Sequence, residues 1–132
     1  MGVTNFDTVA AEFVGNLTGS LTEPLSAVVG TTVATVEGGA KLPNSGISTI
    51  SSTSGQRNYT LDAPVAGVHK TIVCTAGSTA NKCVVLCSTG VTFDGTNTKA
   101  TFDAAGEFLE LIGLSATQWL VKVNGGNVTL GT

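Results

Sequence analysis

From residue 26 onward the chain is a succession of short β-branched runs separated by glycine-rich turn signals. The runs read "SAVVGTTVATV" (26–36), "RNYTLDA" (57–63), "HKTIVCT" (69–75), "KCVVLCS" (82–88), "VTFDG" (91–95), "KATFDA" (99–104), "EFLELIGL" (107–114), "TQWLVKVN" (117–124) and "NVTLGT" (127–132). Turns are marked by Pro64 to Gly67, Ala76-Gly77-Ser78, Asp94-Gly95, Ala105-Gly106 and Asn124-Gly125-Gly126. Glycine supplies the left-handed backbone that tight turns need, and Asp or Asn hydrogen-bond locally there. Strands this short, at this spacing and without a helical pattern between them, predict an all-β fold: an antiparallel β-sandwich or barrel, jelly-roll-like. The stretch "LPNSGISTISSTSGQ" (42–56) is polar enough to read as a loop with at most one short strand.

Alternation assigns faces. Tyr59 and Leu61 share one side of their strand, with Thr60 and Asp62 on the other. Trp119, Val121 and Val123 fall together and are expected in the core, with Lys122 and Asn124 outward. Pro64 fixes its own φ and Gly67 permits a left-handed bend, so "DAPVAGV" reads as a corner between strands.

Residues 1–25 differ. Phe6, Val9, Ala10, Phe13, Val14 and Leu17 recur at spacings of three and four, an apolar stripe on one face of a short helix. Thr4 or Asn5 would cap it, and Gly15 or Gly19 would end it. So short a helix is marginal alone, so the stripe needs a surface: the chain's own core or a neighbouring subunit. Phe6, Val9, Phe13, Val14 and Leu17 are the candidate partner contacts. The expected organisation is an N-terminal arm or short helix over 1–25 and one β-domain over 26–132.

The surface chemistry excludes several functions. Charged residues are 11% of the 132, against roughly 25% in ordinary soluble domains. Thr, Ser, Gly and Asn must then keep the exterior wet. A net charge of −3 with six scattered cations lacks the basic field that nucleic-acid binding requires. No basic start followed by an apolar run marks a secretory signal, and no run is long enough for a membrane helix. The expected setting is synthesis and assembly in a cytoplasm, with no nucleic-acid or membrane partner.

Catalytic groups are sparse. His69 is the one conventional base near neutrality, and five residues of strand put it and Cys74 on opposite faces. Cys83 and Cys87 share a face but lie about 13 Å apart at strand rise. Three cysteines is an odd number, and C-x8-C-x3-C lacks the paired spacing of zinc sites. All three are expected as small buried apolar residues, although Cys74 and Cys83 flank a hairpin and a bridge between them stays geometrically open. Asp94, before Gly95, suits a turn, and Glu107 and Glu110 fall on opposite faces, so no carboxylate pair for glycoside hydrolysis forms among Asp94, Asp103, Glu107 and Glu110. Phosphate-loop, dinucleotide and nucleophile-elbow motifs are missing. The expectation is a protein without enzymatic activity, cofactor or metal.

The run from Tyr59 to Asn124 resembles a β-domain of small virion proteins of tailed bacteriophages. It opens "YTLDAPVAG", like that family's Y-T-L-x-A-P-x-A-G, and ends "AGEFLELIGLSATQWLV", like A-G-E-x-L-E-L-I-x-L-S-A-T-x-W-L-V. The likeness covers about half the chain, and its motifs are structural. It implies a virion structural protein: a capsid decoration or cement protein, commonly a homotrimer, that stabilises the head by bridging major capsid proteins on the particle surface. The alternative is a tail- or fibre-associated module, or a carbohydrate-recognition β-sandwich, for which one Trp and one Tyr are few stacking platforms.

Overall fold

The computed structural model describes residues 32–33 and 40–132. Phe6, Val9, Phe13, Val14 and Leu17, and with them the expected N-terminal arm, lie outside the described residues. Among the described residues the fold is all-β, with eleven strands and no helix. The strands are β1 (Thr32–Val33), β2 (Lys41–Leu42), β3 (Gly46–Ser51), β4 (Arg57–Leu61), β5 (His69–Ala76), β6 (Cys83–Cys87), β7 (Thr92–Phe93), β8 (Lys99–Phe102), β9 (Phe108–Gly113), β10 (Gln118–Gly125) and β11 (Thr129–Gly131). They form a six-stranded sheet in the order β1-β3-β5-β9-β10-β7 and a five-stranded sheet in the order β11-β8-β6-β4-β2.

Apart from the β9–β10 hairpin, consecutive strands alternate between the two sheets. Each early strand therefore crosses the core and returns beside the strand two before it. This makes β1, β3 and β5 parallel neighbours in one sheet, and β2, β4 and β6 parallel neighbours in the other. From β8 onward the main pairings are antiparallel: β5 with β9, β9 with β10, β6 with β8, and β8 with β11. Short β7 lies parallel to β10.

The expectation of antiparallel sheets is thus corrected to two mixed sheets. Alternation fixes which side chains face the core but carries no information about strand direction. The polar stretch 42–56 supplies β2 and the six-residue strand β3, a full member of the larger sheet. Its inward residues, Ser48 and Ile50, are both buried.

One core joins the sheets. Tyr59, Leu61, Val85, Ala100 and Phe102 come from the smaller sheet, facing Ile50, Ile72, Phe93, Leu109, Leu111 and Trp119 of the larger. Burial of side chains of this size stabilises by about 1.5–3 kcal/mol each before conformational entropy is counted.

A β-bulge corrects one face assignment. Glu110 pairs with Val123 and Leu111 with Val121, which leaves Lys122 as the extra residue. Trp119 lies in the core as expected and Val121 packs against it, but Val123 is flipped outward and 37% exposed. Asn124 takes up the turn that follows: its Nδ2 donates to Val128 O at 2.8 Å, and Val128 N donates to its Oδ1 at 2.9 Å.

The "DAPVAGV" segment is a corner, as its residues predict. Val68 N donates to Val65 O at 3.0 Å, and Gly67 adopts φ 85°. Two further bonds clasp the corner to the end of β9: Gly67 N to Gly113 O (2.7 Å) and Gly113 N to Val68 O (2.8 Å).

Candidate functional site

Cys74, Cys83, Asp94, Glu107 and Lys70 are tied into the fold by hydrogen bonds. His69 opens β5 with an exposed side chain, while Cys74 points into the core, so no Cys–His pair forms between them. Cys74 and Cys83 meet across the core with sulfurs 3.9 Å apart. The thiol–thiol contact holds Cys74 below the usual thiol range and pushes Cys83 well above it. Cys87, farther along β6, is raised by burial to about 12. A thiol so reluctant to ionise is a poor nucleophile at neutral pH.

The carboxylates are dispersed. Asp94 turns a corner with φ 52°, where Thr96 N, Asn97 N and Asn97 Nδ2 donate to it. Partial desolvation pushes its pKa up, but the hydrogen bonds from Asn97 and Thr96 prevail and hold it below the usual carboxylate range. Glu107 is buried and ties its own turn, with Oε2 accepting from the backbone N–H groups of Asp103 and Ala104 (the latter 2.8 Å). Glu110 lies on the outer face of β9. Among the described residues no group of three or more His, Cys, Asp or Glu could hold a metal ion.

Lys70, a charged side chain, is buried on β5 along with Ile72 and Cys74. Its ammonium donates to Ser48 Oγ and to Ser45 O (3.3 Å). Burial lowers its pKa to about 8, partly opposed by the charge of Asp62. Asp62 itself pairs with Lys41 at 2.8 Å on the exterior.

What remains is surface, and the outer face of the six-stranded sheet stands out. Register places Ile112 between His69 and Leu120, Glu110 between Thr71 and Val123, and Phe108 between Val73 and Gly125. Ile47, on β3, continues the middle row beside Thr71. Ile47, Leu120 and Val123 are 42%, 43% and 37% exposed, while Val73, Phe108 and Ile112 are half-buried around them. Four adjacent strands thus present aliphatic groups and one aromatic to solvent, with Glu110 as a charge among them. The Phe108 ring lies over Gly125, where a Cβ would come within 2.1 Å of it.

The candidate partner contacts of the N-terminal stripe lie outside the described residues; this second apolar face also left a signal in the sequence. "FLELI" and "WLVKV" are apolar at both parities, and a strand apolar on both sides has a second face to cover.

The opposite exterior, on the five-stranded sheet, carries a polar depression of about 340 Å³. Lys82, Lys99, Gln56, Asn58 and Thr101 rim it, over Val84 and Leu86. Tyr59 and Trp119 are fully buried and offer no stacking platform for a sugar. Comparison with protein-family models, with curated proteins and with solved structures gives no match for this chain.

Proposed function

We propose that this protein is a structural component of a tailed-phage particle, a capsid decoration or cement protein that assembles as a homotrimer and bridges major capsid proteins on the shell. The observation that carries the reading is the apolar outer face of the six-stranded sheet, a surface suited to burial against protein. The two sheets act as a sandwich-like brick whose inner faces make the core and whose larger outer face grips a neighbour. Binding energy is then the function itself, and modest contacts repeated over a symmetric shell add by avidity. The likeness of residues 59–124 to the β-domain of small virion proteins supports the same reading, as does the structural employment of Cys83, Glu107 and Asp94.

Light scattering on the purified protein tests the assembly: a trimer is expected, and a strict monomer that also fails to bind assembled shells would overturn the proposal. A second reading, a tail-associated carbohydrate-recognition module, draws on the Lys82–Lys99 depression. Dose-dependent hits on a glycan array that disappear in Lys82→Ala/Lys99→Ala would favour it over the first.

A further inference from the structure

We infer that Cys74 and Cys83 are an oxidisable pair that closes into an intrachain disulfide, clipping the two sheets together at the β5–β6 arch. The sulfurs face each other across the core, one from each sheet, 3.9 Å apart. A disulfide needs about 2.05 Å, so each sulfur must move by about 1 Å, within reach of a small side-chain rotation. Cys87, also on β6, lies four residues farther along the strand than Cys83.

The arch over the pair is built to seal it. Ala76 O accepts from both thiols, at 3.4 Å from Cys74 and 3.8 Å from Cys83. Gly77 sits directly above, where an added Cβ would lie 3.0 Å from Cys74 Sγ. The turn closes through Ser78 N to Asn81 O (3.1 Å) and Asn81 N to Ser78 O (3.0 Å), and Asn81 Oδ1 accepts from Gly55 N at 2.7 Å. A large side chain at position 77 would prise this lid away.

The oxidant is a low-molecular-weight disulfide such as oxidised glutathione. With the arch open, the Cys74 thiolate attacks one glutathione sulfur; the S–S bond breaks and one glutathione leaves as thiolate. The Cys83 sulfur, losing its proton, then attacks Cys74 Sγ in the mixed disulfide and expels the second glutathione. Both cysteine protons end on glutathione thiols, two electrons pass to glutathione, and one Cys74–Cys83 bond forms. Both sulfurs are fully buried, so exchange requires the arch to open. Oxidation is therefore fast during refolding and slow in the folded protein, and the closed bond is shielded from reductants afterwards.

The test refolds the full chain in a glutathione redox buffer and counts free thiols in denaturant. Of the three thiols, one is expected to remain, and peptide mapping should find it at Cys87 with residues 74 and 83 linked. Cys87→Ser should form the same bond, and its midpoint of thermal unfolding should rise by several degrees over the same variant kept reduced. Cys83→Ser should keep both remaining thiols free. Three free thiols after oxidative refolding, or a bond that includes Cys87, would overturn the inference.

Discussion

The phenol of Tyr59, on β4, donates to the carbonyl of Ser51, the last residue of β3, at 2.8 Å, and its oxygen also receives Ser51 N at 3.3 Å. One side chain of the smaller sheet thus satisfies both backbone groups at the end of a strand in the other. Tyr59→Phe keeps the ring in the core and leaves these groups without it. A loss of about 1–2 kcal/mol is expected, read as a lower urea midpoint at unchanged slope.

Gly113 lies against the corner that precedes β5. A Cβ there would fall 2.1 Å from Val65 O and 3.2 Å from the Pro64 ring, and a backbone carbonyl cannot swing aside. Gly113→Ala should therefore destabilise by about 1–3 kcal/mol through overpacking. The corner should also loosen, measured as faster amide exchange at Gly67, whose N–H is bound to Gly113 O.

Lys70 makes stability depend on pH in an unusual direction. The folded state releases this proton near pH 8, while the unfolded chain holds it to about 10.5. Between these values folding sheds a proton, so the lysine's contribution rises with pH, by on the order of 3 kcal/mol over the whole window. Cys83 and Cys87 act oppositely above pH 9, because their folded pKa values are raised and the unfolded thiols ionise first. The clean signal is a difference: from pH 8 to 9 the wild type should gain stability relative to Lys70→Met. Parallel stability curves for the two proteins would contradict the assignment.

Ile47 and Leu120 contribute to the exposed apolar face without entering the core. Ile47→Asp with Leu120→Asp should leave the unfolding midpoint of the isolated subunit nearly unchanged, since exposed substitutions cost within about 0.5 kcal/mol. On the proposed reading, the same pair should abolish self-association in light scattering and reduce retention on shells more than tenfold. An assembly that survives both charges would move the contact surface elsewhere.

Parts of this architecture were legible in the residues. Turn chemistry placed the corner at Pro64–Gly67 and the bend at Asp94-Gly95, and both form there, with Gly67 and Asp94 at positive φ. Alternation put Tyr59 and Leu61 on one face of their strand, and both are buried. These are local properties: a turn residue or a two-residue period acts through its immediate neighbours, whatever the rest of the chain does. The candidate surface was half legible. "FLELI" announces a strand apolar on both sides, but not which side the core takes.

Composition and pattern by themselves determined that this chain makes short strands joined by tight turns around one apolar interior. Tertiary structure alone decided that β3 runs parallel to β5, that Lys122 bulges and turns Val123 outward, and that Lys70 sits inside against Ser48. Pairing joins residues far apart in the chain, and its direction and register are set by how all the strands fill the core at once. No period along a single strand carries that information.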